Sequence, residues 1–271
     1  MRSLAELIAE GDAVPVEGWD FSWFEGRATE ERPAWGYARL LAERIGRAEA
    51  VLDIQTGGGE VLAEALHRGR HSELRRLAAT ESWPPNAELA RRVLAPFGGV
   101  VVEVADDWPL PFRDASFDLV SSRHPAEVLW THIARVLAPG GSYFAQHVGA
   151  GSNRELTDFM MGPQPVSTAR NPWVAVFAAR RAGLDVVELR EQALRVEFFD
   201  VAAVVYFLKK VLWTVPGFTV AGYAEPLARM HEHIERHGSF VSHSQRFLIE
   251  ARKPQQTMTG SGLSRTQRVP E

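Results

Sequence analysis

Short apolar runs that alternate with helical segments are the feature that most constrains the fold of this chain. The run AVLDI (50–54) leads into a glycine turn and a helical segment, and this order repeats toward the C-terminus. Such runs are typical of strands that are buried on both faces of a parallel sheet. The alternation predicts an α/β fold with helices on both faces of the sheet. Seven strands are predicted, at 50–54, 74–81, 99–106, 117–123, 142–149, 184–192 and 245–252.

The first 48 residues precede this pattern and predict an N-terminal helical cap. Ser3 and Glu6 have the spacing of a capping box, and Gly11 is expected to end the helix that they begin. Pro33 is expected in the first turn of a second helix that runs to about Ile45. We therefore divide the chain into a cap at 1–48, a main domain at 49–253 and a disordered tail at 254–271.

A helical insertion of about 50 residues is predicted at 194–243, between the sixth and seventh strands. It contains the apolar run Val201–Leu208, which is too apolar for a solvated loop. We expect it to form a substrate cap against the N-terminal aromatic residues, and a dimer interface is the alternative. These aromatic residues are Trp19, Trp23 and Trp35.

Composition excludes several classes of function. The 271 residues contain 30 Lys and Arg and 34 Asp and Glu, a formal net charge of −4, so no global basic field favours a nucleic acid. The absence of Cys excludes disulfides, thiolate metal sites and Cys nucleophiles. No apolar run is long enough to cross a membrane, and the acidic N-terminus does not resemble a signal peptide. We therefore expect a cytoplasmic protein.

The segment VLDIQTGGGE (51–60) carries the clearest chemical signal. A strand enters three glycines and then a helix, whose free N–H groups and partial positive charge can face a ligand. Asp53 precedes the glycines, so the segment is neither a dinucleotide fingerprint nor a phosphate-binding loop. A carboxylate here would repel a pyrophosphate and suits an ammonium or sulfonium ligand. A tight connection without a ligand is the alternative.

This segment resembles the glycine loop of class I S-adenosylmethionine (SAM) dependent methyltransferases, specifically the methyltransferase type 11-like domain. That loop reads acid, apolar, Gly, x, Gly, x, Gly, and here Gln55 replaces the first glycine. The stretches 109–124 and 136–149 are also similar to the family pattern. The resemblance implies SAM as cofactor and a Rossmann-like, seven-stranded, mostly parallel sheet with helices on both faces. The N-terminal cap and the 194–243 insertion would be additions to that sheet.

The resemblance also implies which residues contact the cofactor. Glu81 follows Asp53 by 81 − 53 = 28 residues and would accept hydrogen bonds from the ribose hydroxyls, or it is an exposed carboxylate at a strand end. Asp106 would lie near the adenine amino group, and Arg123 would bind the cofactor carboxylate or an acidic substrate. Arg27 would close over the cofactor from the cap, or it lies on the surface. The complete expected set is Asp53, Gln55, Gly57, Gly59, Glu81, Asp106, Asp107, Trp108, Arg123 and Arg27.

Two histidines are the candidate catalytic bases. His124 follows the fourth predicted strand and His147 ends the fifth, where the family places substrate-side residues. An imidazole whose pKa is near neutrality can remove a proton from a methyl acceptor. The alternative for each is a histidine with a purely structural hydrogen bond. His233 and His237 have a metal-ligand spacing, but nothing completes the site, and we expect no metal.

Three functions follow from these observations. The first is a methyltransferase of a small molecule, which the aromatic cap favours. The second is a methyltransferase of protein or RNA, and the charge of −4 makes RNA the weaker choice. The third is a catalytically degenerate methyltransferase fold that only binds a partner, which the departure at Gln55 keeps open. The sequence determines neither the acceptor atom nor the oligomeric state.

Overall fold

A computed structural model describes residues 2–16 and 21–255 of the chain. The strands are β1 (Ala28–Glu30), β2 (Ala50–Ile54), β3 (Arg76–Glu81), β4 (Val100–Glu103), β5 (Phe117–Arg123), β6 (Leu137–Val148), β7 (Asp185–Phe198) and β8 (Phe240–Arg252). The α-helices are α1 (Leu4–Ala13), α2 (Tyr37–Ile45), α3 (Glu60–Arg68), α4 (Pro84–Leu94), α5 (Trp130–Val136), α6 (Arg154–Met161), α7 (Pro172–Arg181), α8 (Val201–Lys210) and α9 (Ala224–His237).

All eight strands form one sheet, in the order β1-β7-β8-β6-β5-β2-β3-β4. β2 to β6 are parallel, whereas β8 is antiparallel to both β6 and β7, and β1 is antiparallel to β7. The chain order reverses at β2, which lies between β3 and β5. In open α/β sheets, ligands bind beyond the carboxyl ends of the strands at such a reversal.

Buried side chains cover both faces of the sheet. Val51 belongs to the core cluster on the face of α2, α3 and α4, and its neighbour Leu52 belongs to the cluster on the face of α5 and α7. This alternation explains why the parallel strands are apolar at nearly every position. The predicted α/β fold, with a mostly parallel sheet and helices on both faces, is confirmed.

The sheet has eight strands and not the seven that we predicted. The additional strand, β1, has three residues with the sequence ATE, which is too short and too polar to give a periodic signal. Backbone pairing with β7 holds it at the sheet edge, where Ala28 pairs with Phe198 and Glu30 with Val196.

The predicted insertion at 194–243 has different bounds in the structure. β7 continues to Phe198 and β8 begins at Phe240, so the helical part lies between these two strands. The β7–β8 ladder runs from Asp185–Arg252 to Phe198–Phe240, whereas the pairing of β6 with β8 ends at Val148–Arg246. The extended strand ends carry a third core cluster with α1, α6, α8 and α9. We call this cluster and its elements the helical lobe.

The N-terminal cap is partly in this lobe. The capping box at Ser3 and Glu6 is present, and α1 packs against α8. Trp23 contacts Tyr206 of α8 with ring centroids 5.1 Å apart. Trp35 instead lies in the core beside the parallel strands, where it is 5% exposed. Trp19, like residues 256–271 of the predicted tail, lies outside the described residues.

Gly11 does not end α1, which continues to Ala13, and it lies against the backbone of α8. A Cβ atom added to Gly11 would lie 2.4 Å from the carbonyl oxygen of Ala202. We expect Gly11→Ala to lower the free energy of unfolding by about 1–3 kcal/mol, because backbone atoms must separate. Helix propensity alone would raise it by about 1 kcal/mol. Urea unfolding of the two proteins gives the sign, and a more stable variant would contradict this packing.

Candidate active site

The glycine turn follows β2 at the reversal of the sheet. Its residues adopt left-handed backbone conformations, with φ of 55° at Gln55, 63° at Gly57 and 83° at Gly59. α3 begins at Glu60, so its N-terminus faces the carboxyl ends of the strands. A Cβ atom at Gly57 would meet no atom within 4 Å, whereas Gly59 lies against Ala90 and Leu94 of α4. Gly59 therefore serves packing, and Gly57 leaves open space for a ligand.

Glu81, at the end of β3, contacts the glycine turn directly. Its Oε2 accepts a hydrogen bond of 2.8 Å from the N–H of Gly57, and its Oε1 accepts one of 3.0 Å from the N–H of Trp83. Burial raises the pKa of Glu81 above its usual value, against the lowering effect of these hydrogen bonds. Each carboxylate oxygen can accept a second hydrogen bond, so Glu81 can still bind hydroxyl groups of a ligand.

Asp53 lies within β2 and is 7% exposed. Burial raises its pKa to about 6, even though the hydroxyl of Ser121 stabilises the ionised form. The Ser121 hydroxyl donates a hydrogen bond of 2.5 Å to Oδ1. The charge of Glu81 raises the pKa further, so the two carboxyl groups share one acidic region.

Asp106 extends this acidic region beyond β4. Burial raises its pKa, a hydrogen bond from the Ser82 side chain lowers it, and the charge of Asp107 raises it. Asp106 is half-buried, whereas Asp107 is exposed and Trp108 is 65% exposed. The structure thus brings Asp53, Glu81 and Asp106 to the ends of three neighbouring strands. A concentration of carboxylates there favours a ligand with positive charge.

Gln55 replaces the first family glycine and connects two loops. Its Nε2 donates a hydrogen bond of 2.7 Å to the carbonyl of Glu127, and its Oε1 accepts one of 2.6 Å from the N–H of Ala126. The segment 126–129 is a loop before α5. Gln55 thus keeps the backbone conformation that favours glycine and uses its side chain to hold this loop.

Variants of Gln55 should separate the effect of its positive φ on stability from the effect of its side-chain hydrogen bonds. Gln55→Ala loses both side-chain hydrogen bonds, each worth about 0.5–1.5 kcal/mol, and keeps a non-glycine residue at positive φ. Gln55→Gly loses the same bonds but gains roughly 1 kcal/mol from the relaxed backbone. We expect Gln55→Gly to be more stable than Gln55→Ala by about 1 kcal/mol in urea unfolding. As a control, Ala115→Gly changes another residue with φ of 51°, and it should gain stability. Equal stability of the two Gln55 variants would contradict a backbone cost at the positive φ of residue 55.

His124 follows β5 and makes a hydrogen bond that determines its tautomer. The Trp35 indole N–H, which can only donate, bonds to Oε1 of Gln146 at 2.8 Å. Nε2 of Gln146 therefore donates to Nε2 of His124, at 2.9 Å. Burial and then the charges of Arg123, Arg246 and Arg170 hold the pKa of His124 well below its usual value. His124 is thus neutral, and its proton is on Nδ1.

His147 is enclosed by aromatic side chains on the other face of the sheet. Its Nε2 lies 3.1 Å from the Tyr143 hydroxyl, and its ring stacks on Phe247 with centroids 4.7 Å apart. Burial lowers its pKa to about 3, so the ring is neutral. These contacts are those of a structural histidine.

The two arginines of the expected cofactor set lie in different places. Arg123 ends β5 and is exposed, with no ion pair among the described residues. Arg27 lies in the helical lobe, where it forms ion pairs with Asp200 at 3.0 Å and Glu10 at 2.5 Å and stacks on Trp23. Both of its carboxylate partners hold it there, so we leave Arg27 out of the proposed cofactor site.

Sequence reasoning missed several polar residues around the site. Gln146 and Trp35 set the tautomer of His124, and Ser82 and Ser121 contact the acidic side chains. Partners that are distant in the sequence could not be recognised without the sheet register, which places Arg123 opposite Gln146 and Asp53 opposite Ser121.

A small cleft lies beside the glycine turn. Its walls come from the ends of β2 and β5, the loop after β4 and the 125–129 loop, and they include Gln55, Asp106, Leu110, Glu127 and Tyr143. Across residues 2–16 and 21–255, no cluster of three or more metal-ligand side chains occurs. Within the same ranges, no helix has the length and apolar character of a membrane span.

Comparisons with known proteins agree with this geometry. The model of a family described as a methyltransferase domain matches residues 52–145, from β2 into β6. No curated protein sequence matches the chain. A Bacillus halodurans C-125 protein thought to be a methyltransferase has a similar structure, with a TM-score of 0.55 and 18% identity over 80% of this chain and 98% of the other.

Two further solved structures share the fold. A functionally unknown protein from Deinococcus radiodurans R1 has a TM-score of 0.54 and 15% identity over 83% of this chain and 90% of its own. The YcgJ protein from Bacillus subtilis has a TM-score of 0.52 and 16% identity over 79% and 98% of the respective chains. The matched segment contains the glycine turn, Glu81, Asp106 and His124. Residues 52–145 therefore match the model of the methyltransferase domain family, and the chain shares the fold of these solved structures.

Proposed function

We propose that the protein transfers a methyl group from SAM to a small-molecule acceptor. The observation that carries this proposal is the arrangement of Asp53, Glu81 and Asp106 around a glycine turn with open space at Gly57. SAM bears a sulfonium and an ammonium group, which suit an acidic region, and two ribose hydroxyls, which suit a carboxylate with free acceptor positions.

The residues of the site fit each part of this cofactor. Glu81 would accept hydrogen bonds from the ribose hydroxyls, and Asp106 would accept one from the adenine amino group. The turn from Gln55 to Gly59 would lie against the methionine part, and Arg123 would bind its carboxylate. Asp107 and the exposed indole of Trp108 would border the adenine. These assignments follow the family pattern at the positions where the structure brings the side chains together.

The sulfonium supplies a methyl group with an activated leaving group when SAM is bound. The protein then needs chiefly to align the acceptor atom with the methyl carbon and to exclude water. The 125–129 loop, held by Gln55, and the helical lobe beside β6 would form the walls that do this. A lobe that rises next to the strand ends favours an acceptor small enough to enter between it and the sheet.

The assignment of a general base to His124 or His147 stays a prediction, and the contacts favour other roles. Nε2 of His124 already accepts a hydrogen bond from Gln146, so this nitrogen has no lone pair for a substrate proton. His147 lies among Trp130, Tyr143 and Phe247. We therefore propose that alignment dominates catalysis, with His124 as a hydrogen-bond donor at the acceptor side.

Calorimetric titration of the full chain with SAM and with S-adenosylhomocysteine tests this function. We expect saturable binding of both, whereas NAD should not bind because Asp53 would repel its pyrophosphate. A folded protein that binds neither ligand would overturn the proposal. Release of S-adenosylhomocysteine with a panel of small acceptors would then support the small-molecule assignment.

Other results of the same experiments would favour the remaining candidates. Methylation of proteins or RNA in a cell extract, with no turnover of small acceptors, would favour a macromolecular acceptor. SAM binding without transfer to any acceptor would favour a degenerate fold that serves as a binding protein.

A further inference from the structure

The charge at the strand ends changes sign across the sheet. Carboxylates occupy the ends of β2, β3 and β4, whereas arginines occupy the region beyond β5, β6 and the facing part of β8. These arginines are Arg123, Arg170 and Arg246, and all three act electrostatically on His124. A protein with a formal net charge of −4 therefore has a local positive region at the side of the site away from the acids.

The end of β6 brings the members of this region together. Gln146 of β6 bonds to His124 through its side chain and accepts the His124 N–H at its carbonyl, at 2.7 Å. Val148, two residues further on, pairs with Arg246 of β8. Ala150, two residues beyond that, donates its N–H to the carbonyl of Arg170 at 3.0 Å. His124, Arg246 and Arg170 therefore contact successive positions of one short backbone stretch, from Gln146 to Ala150.

Arg246 is fixed in position by its neighbours. Its guanidinium donates to Glu30 Oε1 at 2.6 Å, to the carbonyl of Gln245 at 3.0 Å and to Ser152 Oγ at 3.4 Å. The Ser244 hydroxyl donates to the same Glu30 oxygen at 2.6 Å. Arg246 is thus a preorganised positive group whose charge Glu30 partly offsets.

Arg170 has a different environment, because no carboxylate of the described residues forms an ion pair with it. Burial lowers its pKa, and the charge of Glu127 opposes this from beyond ion-pair distance. The guanidinium lies 5.2 Å from the centroid of the Trp213 ring, which is 48% exposed. Trp213 belongs to the segment between α8 and α9, so the lobe itself contributes an aromatic wall beside this cation.

His124 adds a hydrogen-bond donor to these two arginines. Because Gln146 occupies Nε2, the remaining ring nitrogen carries the proton and can only donate a hydrogen bond. These groups together form an arrangement that binds an oxyanion: the half-buried guanidinium of Arg170, the fixed guanidinium of Arg246 and the neutral N–H of His124. Glu30 and Glu127 are the carboxylates that face it, and Glu64 and Arg32 act on the adjacent Arg123.

We propose that the methyl acceptor carries a carboxylate or phosphate group, which binds Arg170 beside Arg246 and the Nδ1–H of His124. The flat face of Trp213 would cover the apolar part of the same molecule. This inference rests on the proposed function, because it assigns Arg170, Arg246 and His124 to the acceptor, and the acidic side together with Arg123 to SAM.

Binding of two anionic probes to the full chain tests the proposal. Inorganic phosphate and sodium benzoate are titrated at constant ionic strength, with ligand-observed NMR as the readout. We expect saturable binding of at least one probe, a loss of tenfold or more in affinity for Arg170→Gln, and a smaller loss for Arg170→Lys. Arg92→Gln is the matched control, since Arg92 is an exposed arginine on α4 whose ion-pair partner among the described residues is Glu88. Its affinity should stay within twofold of the wild-type value.

Titration of S-adenosylhomocysteine in the same samples separates this inference from the proposed function. Wild-type and Arg170→Gln proteins should bind it equally. Absence of saturable anion binding in the wild type, or equal anion affinity in Arg170→Gln, would overturn the acceptor assignment even if the cofactor binds. Anion binding without cofactor binding would overturn the proposed function and remove the acceptor role with it.

Discussion

Replacement of Glu81 by Ala should weaken SAM binding by about 1–3 kcal/mol, the cost of leaving buried polar partners without an acceptor. This corresponds to a rise in Kd of about fivefold to 150-fold. The carboxylate accepts the N–H groups of Gly57 and Trp83 with one oxygen each, and its remaining acceptor positions would bind the ribose. Glu81→Gln keeps one acceptor oxygen and should show an intermediate loss.

The control for this experiment is Glu103→Ala. Glu103 pairs with Glu81 in the β3–β4 register, but its side chain is exposed and lies 3.5 Å from Arg91. Calorimetry should show SAM affinity within twofold of the wild-type value for this variant. Urea unfolding of Glu81→Ala reports how much of the effect is loss of the folded turn. A stable Glu81→Ala protein with wild-type affinity would remove Glu81 from the cofactor site.

The parallel part of the fold could be predicted because its signals are local. The bounds of β2 and β5 agree with the expected 50–54 and 117–123, since each strand is a short apolar run between polar residues. β7 and β8 are longer than predicted. Their outer ends carry the helical lobe, and buried and exposed side chains alternate there in a different pattern from the parallel strands. β1 gave no signal, because backbone pairing with β7 and not its own side chains holds it.

The acidic half of the site could also be predicted, because each acid follows its own strand. The arginine half could not, because Arg170 lies in a loop and Arg246 in a strand that is distant in the sequence. Only the antiparallel pairing of β8 with β6 brings Arg246 to the end of β6. The role of His124 likewise depends on Gln146 and Trp35, which are far apart in the sequence and meet through the sheet.

The buried carboxyl of Asp53 should make stability depend on pH in a direction that most carboxyl groups do not. Burial raises its pKa to about 6, whereas an aspartate in the unfolded chain has a pKa of about 3.9. The folded protein therefore binds more protons than the unfolded chain between these values. The stabilising contribution is complete below about pH 4 and is lost as pH rises through about 6. A pKa difference of about 2 is worth about 3 kcal/mol.

Asp53→Asn should remove this dependence, because an amide does not titrate and its oxygen can still accept the Ser121 hydroxyl. We expect the free energy of unfolding of the wild type, relative to Asp53→Asn, to fall by about 3 kcal/mol between pH 4 and pH 7. Urea unfolding at intervals of one pH unit, without cofactor, measures this difference. Asp107→Asn removes the same charge from an exposed position at the same edge of the sheet, and should follow the wild-type curve. A constant difference between wild type and Asp53→Asn would show that Asp53 has the same pKa in the folded and unfolded chains, which burial beside Glu81 does not allow.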